Sequence, residues 1–285
     1  MTMDGLIPRS LPVGCANDVR AELRARWARL RPALRWALVL LPMSAVALPV
    51  AGLLVLGGSP GGLVLPGLGL LPVVLVLARL RRRGLATQPH EWVPAALLAA
   101  GVPASIGALA LLVFGWYQPR AEVALVLGVA LFGVAALAWG VGDHACRLLW
   151  SGTPRIVARS GFELGYRLRV RRRLIARITV SEDRIRWLVQ ITSRHTTRTV
   201  LDRAVPLADL RDVRVVTVDP PPRGGAGQEV EPVPGPGVEL VTDRARHVLP
   251  VRRAEELALV LRERAEWCRS LPVPGGLADP PTPAW

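Results

Sequence analysis

The chain has 285 residues, 51% of them hydrophobic, with a mean hydropathy of +0.34 and a formal net charge of +14. All 36 basic residues are Arg, against 22 acidic ones, and the Arg clusters flank long uncharged runs. Such runs exclude an ordinary soluble globule. Because the clusters are accounted for by topology, the high basic content does not call for nucleic acid as a partner.

Residues 1–16, with Pro8, Pro12 and Gly14, read as unstructured. Cys15 follows Leu-Pro-Val-Gly, but Pro12 and the lack of a preceding apolar run fail a lipoprotein cleavage box. Asn17 or Asp18 is placed to cap a helix to about Leu30. Val19, Leu23, Trp27 and Leu30 form its apolar stripe; Arg20, Arg24, Arg26 and Arg31 supply the polar part. This helix either lies in the membrane interface or packs on the protein's own cytosolic domain.

From Trp36 to Ala78 there are 43 residues without a charge, followed by uncharged runs over 92–119 and 123–142. A bilayer core of about 30 Å takes roughly 20 apolar residues per helix. The pattern predicts a four-span transmembrane region over 36–142, with helices at 36–56, 63–78, 93–116 and 123–142. Pro66 and Pro72 interrupt the second, which is either a kinked span or a re-entrant hairpin. Trp36, Trp92, Trp116, Tyr117 and Trp150 fall near the expected interfaces.

Segment 1–35 carries seven Arg, the middle loop four (Arg79, Arg81, Arg82, Arg83) and Arg147–Arg173 eight, whereas the third loop holds only Arg120. Four spans put all Arg-rich parts on one side, so both termini are expected in the cytoplasm and the chain in the inner (plasma) membrane. Within the spans, Ala124-x3-Gly128 and Ala136-x3-Gly140 suit close helix packing, with intramolecular contact the default over a homo-oligomer.

Beyond residue 155 the period changes to two. Leu164, Tyr166, Leu168 and Val170 alternate with polar or small residues, as do Ile178 and Val180, then Ile185, Trp187, Val189 and Ile191. Further strands are expected at 197–205, 213–218, 237–241 and 247–251. The Pro- and Gly-rich insert 219–236 and the tail 271–285 read as disordered. Ala254, Leu257, Ala258, Leu261, Ala265 and Cys268 give a closing helix one apolar face. The fold class expected is a membrane α-helical region plus a C-terminal α+β domain at 155–270, an antiparallel sandwich or barrel of about seven strands capped by one helix.

Residues Ile178-Thr179-Val180-Ser181-Glu182-Asp183-Arg184-Ile185, Val205-Pro206-Leu207-Ala208-Asp209-Leu210-Arg211-Asp212-Val213, Gly237-Val238-Glu239-Leu240-Val241-Thr242 and Val248-Leu249-Pro250-Val251 carry a resemblance. This part of the chain resembles the bacterial pleckstrin-homology-like domains attached to multi-span membrane proteins of high-G+C bacteria. The resemblance implies a non-enzymatic binding or scaffold domain. It also makes the basic first strand and its following loop (Arg167, Arg169, Arg171, Arg172 and Arg173) worth naming as holders of a phosphorylated headgroup. The other reading of this run is a solvated basic face that serves topology.

Asp143, His144 and Cys146, or His90 and Glu91, invite a metal site, but no second cluster supplies partners; His195 and His247 have no evident role. No Ser-His-Asp set, phosphate loop or paired carboxylates stand out, so no catalytic residue, cofactor or metal is expected. The expected function is binding or sensing of anionic membrane lipid, or of a protein partner, at the membrane surface. The alternative is a small transporter or envelope-assembly factor regulated by its domain, although the spans hold no ionisable group at depth.

Overall fold

In the computed structural model the described residues are 6–57, 64–82, 84–116, 121–170, 174–192, 196–219 and 233–270. The chain forms two compact units, Met1–Thr153 and Pro154–Trp285.

The first unit is helical. Helix α1 (Arg20–Arg35), a π-helical turn (Trp36–Leu40) and α2 (Leu41–Val55) make one continuous helix, Arg20–Val55. Helices α3 (Val64–Leu68) and α4 (Leu70–Arg81) follow, then α5 (Pro89–Ala96), a second π-helical turn (Leu97–Gly101), α6 (Val102–Trp116) and α7 (Ala121–Trp150). Three helices, Arg20–Val55, Pro89–Gly115 and Ala121–Trp150, are long and apolar enough to cross a membrane.

Proline explains the irregular turns. Each π turn ends two residues before a proline, Pro42 or Pro103. A proline ring crowds the carbonyl four residues back, here Leu38 or Ala99, and offers it no N–H. Widening that turn relieves the crowding, and the Leu41 N–H bonds Trp36 O five residues back. The expected second span is two helices of 5 and 12 residues. The break falls at Gly69, four residues after Leu65 and three before Pro72, where the Gly69 N–H turns tightly onto Pro66 O at 3.0 Å.

Several expectations for the N-terminal part are corrected. Residues 6–16 are ordered: Ile7 is buried, and Trp27 Nε1 donates to Pro8 O at 3.1 Å. The cap residue of α1 is Val19, one past the expected Asn17 or Asp18, and it makes no side-chain cap bond. The stripe Leu23, Trp27, Leu30 and Leu34 is buried, and α1 packs along α7 rather than lying alone. Arg26, read as polar-face, is buried. Its Nη1 donates to Leu149 O at 3.0 Å and its Nη2 pairs with Glu22 at 2.6 Å. Leu149 O is one of the last carbonyls of α7, which have no partner within their own helix, so the cation caps α7. Helix α7 runs on beyond Gly142, so Asp143, His144 and Cys146 ride on its last turns.

Small residues let the apolar helices approach. A Cβ on Gly107 would fall 2.6 Å from Pro49 Cγ, and one on Gly52 would fall 2.8 Å from Leu127 Cδ1. Ala124 and Gly128 are buried against α6, as the intramolecular reading expects, whereas Ala136 and Gly140 are exposed.

The second unit opens with α8 (Pro154–Ala158). It then forms β1 (Leu164–Arg167), β2 (Leu174–Val180), β3 (Arg184–Thr192) and β4 (Thr197–Pro206), a four-stranded sheet in that order. A second sheet holds β5 (Leu210–Val218), β6 (Gly235–Thr242) and β7 (Arg246–Pro250), and α9 (Ala254–Ser270) closes the chain. All pairings are antiparallel. Strand β1 ends earlier than the alternation to Val170 suggests. At Leu168 the chain bridges to Val251, and the Arg169 N–H donates to Pro250 O at 2.7 Å, which ties the sheets together at this corner. The expected insert 219–236 shrinks at its end, since Gly235 and Pro236 already belong to β6; residues 220–232 and the tail 271–285 lie outside the described residues.

Inward residues Leu164, Ile178, Val180, Ile185, Trp187, Val189, Val213, Val238, Leu240 and Leu249 meet Leu257, Val260 and Leu261 of α9 in the core. Among them sits Arg264, fully buried. Its Nε donates to Ala158 O, its Nη1 to the carbonyls of Phe162, Val180 and Ser181, and its Nη2 to Val157 O, all within 2.9–3.2 Å. Burial lowers its pKa to about 10, so it remains a cation at neutral pH.

Two predictions follow from this packing. Gly107→Ala must displace Pro49 and should destabilise the helical unit by about 1–3 kcal/mol. Gly140→Ala, with nothing within 4 Å, should not; thermal unfolding in detergent compares them. Arg264→Met removes the shared donor of five carbonyls, of which Val157 O keeps the Ser160 hydroxyl, and should destabilise the sheet unit by on the order of 3–5 kcal/mol in urea titration.

Candidate functional site

The first hairpin of the sheet unit carries the concentration of basic charge. Alternation sends Leu164 and Tyr166 of β1 and Ile178 and Val180 of β2 inward, which leaves Arg167 and Arg177 outward. The register sets Arg167 directly opposite Arg177. Side chains so opposed stand about 4.5–5.5 Å apart at Cβ, and like charges there are destabilising. Both guanidinium groups are exposed, and no carboxylate pairs with Arg167 among the described residues.

The next strands of the same face are neutralised. Arg186 of β3 grips Asp202 of β4 through two bonds, Nε–Oδ1 at 2.8 Å and Nη2–Oδ2 at 2.5 Å. Arg184 holds Asp183, and on the second sheet Arg211 holds Asp243 and Arg214 holds Asp212. In each pair the Arg hydrogen bond keeps the carboxyl below the usual carboxylate range. These four carboxylates are therefore committed to arginines of their own.

Of the Arg run read from the sequence, Arg167 lies on this face. Arg169 does not join it. Its backbone is held by Pro250 O and by the Val233 N–H, and its Nη1 lies against Gly235, where any Cβ would collide. Gly235 also has φ +133°, a conformation that favours glycine. Arg171, Arg172 and Arg173 lie outside the described residues. The partner of Arg167 that sequence reasoning missed is Arg177. The signal was available: Arg177 alternates outward with Ile178 and Val180 and lies across from the first strand.

The other candidates do not assemble into a site. No group of three His, Cys, Asp or Glu among the described residues is placed to hold a metal. Asp143 pairs with Arg147 at 2.7 Å, the Cys146 Sγ donates to Pro89 O at 3.4 Å, and His90 lies 3.6 Å from Glu91. His195 lies outside the described residues. His247 has a structural partner: its ring packs on Trp187 with centroids 5.1 Å apart.

Burial first, and then the charge of Arg203, lowers the His247 pKa below 6.5. The folded state favours the neutral ring, so the unfolded chain takes up the proton first. Stability should then fall as pH drops from about 6.5 toward the folded value. His247→Gln should remove that part of the slope in melting temperature between pH 7 and 5, measured by near-UV circular dichroism.

No family model, curated protein or solved structure matches this chain.

Proposed function

We propose that this is a four-span membrane protein whose sheet domain, pleckstrin-homology-like in arrangement, binds anionic lipid at the cytoplasmic membrane surface without catalysis. The observation that carries the reading is the exposed, directly opposed pair Arg167 and Arg177; the run Arg171–Arg173 lies between them in the sequence. Such a pair lowers its mutual repulsion when an anion neutralises it, and each basic residue near an anionic leaflet contributes about 1 kcal/mol. Seven antiparallel strands divided four and three, with one final helix, support the pleckstrin-homology-like arrangement. Helices α3 and α4 supply the second of the four spans as a kinked pair, Val64 to Arg81, about 27 Å long at 1.5 Å per residue.

The two-Arg geometry also distinguishes charge from recognition. If charge alone binds, lysine serves as well; if the guanidinium forks grip phosphate, it does not. Fragment 154–285, whose folding is checked by a cooperative melt, is floated with vesicles of neutral or anionic lipid. Flotation should require anionic lipid, and Arg167→Glu with Arg177→Glu should abolish it. An unchanged yield for that double variant would remove the hairpin from the lipid contact. Retention by the double Lys variant would mark the contact as charge only.

A further inference from the structure

We infer that the bilayer boundary on the Arg-rich side of the helical unit passes through the rings of Trp36 and Trp139, and that the α1–α7 helix pair beyond them stands in water.

The levels of the helices are fixed by their contacts. Gly107 of α6 lies against Pro49 of α2 and Leu131 of α7. Gly142 of α7 lies against Val93 and Ala96 of α5, Cys146 reaches Pro89 O, and Leu149 O accepts from Arg26 of α1. Along this ladder α2 and α1 rise as α7 runs from Leu131 to Leu149. The first charged residues met on three helices, Arg35, Glu91 and Asp143, therefore fall at one height. Between Glu122 and Asp143 α7 carries about 20 uncharged residues, about 30 Å of helix, the thickness of a hydrocarbon core.

Trp36 and Trp139 sit next to that height and are 54% and 51% exposed. Large indole rings left half open on an otherwise apolar helix match the headgroup zone, where one end of the ring is wet and the other apolar. On the bilayer side of them the exposed side chains are Val126, Val129, Phe132, Leu109 and Leu54. On the other side, α1 exposes Arg20, Glu22, Arg24 and Arg29 and no large apolar residue.

An amphipathic helix lies in a membrane surface because it has an apolar face to insert. Helix α1 has spent that face on α7. Its 16 residues, about 24 Å, project from the boundary packed along the last turns of α7. This places the buried Arg26 and its cap on Leu149 outside the hydrocarbon, where a cation costs least.

The inference rests on the membrane-spanning reading, and one experiment separates the two. The full chain, with Cys15, Cys146 and Cys268 replaced by Ser, is reconstituted in nanodiscs of mixed neutral and anionic lipid. Spin labels are placed on single cysteines at Arg24, Arg29, Trp36, Val129 and Trp139, all exposed positions. Accessibility to oxygen and to a soluble nickel complex gives depth. Position 129 should be oxygen-rich and closed to nickel, positions 36 and 139 should share one intermediate depth, and positions 24 and 29 should be open to nickel. Intermediate depth at 24 and 29, equal to that at 36, would put α1 in the membrane surface and overturn the inference while leaving the spans intact. Nickel access at 129 would overturn the spans and the inference together.

Discussion

The sheet unit is organised around one buried cation whose hydrogen bonds all go to backbone carbonyls. Arg264 satisfies five carbonyls, two from the end of α8, one from the link at Phe162 and two from the end of β2 and its turn. These carbonyls belong to segments that end a helix or a strand, where regular pairing runs out. A guanidinium offers five N–H donors in a fixed plane, and an ammonium offers three from a point. Charge-assisted bonds to neutral acceptors offset part of the desolvation of a buried cation. The same device recurs in the helical unit, where Arg26 caps the last turn of α7. One further fixing has this form: Arg262 of α9 donates twice to Val213 O on β5; Arg159 of the segment after α8 instead makes an ion pair with Glu263. In a chain without lysine, arginine is the internal strut as well as the surface charge.

The apolar unit holds together differently. Leu packed on Leu gains little over Leu packed on lipid, so close approach and shape must hold helices in an apolar surround. Pro49 fills the place a side chain would occupy on Gly107, and Ala124 closes on Gly115 at a distance that admits no Cβ. The prolines at the π turns are different ones, Pro42 and Pro103, and they act on the backbone. At Pro42 the cost in backbone bonds is confined to one turn, because Leu41 finds Trp36 O.

What could be read in advance follows from which signals are local. Period-two alternation placed the strands of the sheet unit within a few residues, because each strand buries one face, and the spacing of Leu257, Leu261 and Ala265 gave α9. Arg264 lies three residues after Leu261 and seven after Leu257, on the buried face, but charge type argued for the surface. Arg26 misled in the same way between Leu23 and Leu30. The partner of the stripe on α1 was beyond reach, since α7 lies more than a hundred residues along the chain. Of the candidate site, Arg167 was legible from composition and alternation. Arg177 needed the hairpin register, and the diversion of Arg169 onto Gly235 needed the corner where Leu168 meets Val251.

The opposition of Arg167 and Arg177 has an energetic consequence on the lipid-binding reading. A like-charged cross-strand pair costs roughly 0.2–1 kcal/mol in the free domain. The acids of the neighbouring strands, Asp202, Asp183, Asp212 and Asp243, are each held by an arginine of their own. An anion that bridges the pair removes the repulsion and adds its own hydrogen bonds, so it stabilises the hairpin by mass action. Binding and hairpin stability are then coupled through the same two side chains. Salt should weaken the attraction to the anion and the repulsion between the arginines together, since both are exposed and screened over about 10 Å at 0.1 M. The hairpin is therefore least stable where it is most ready to bind, at low ionic strength and without its anion.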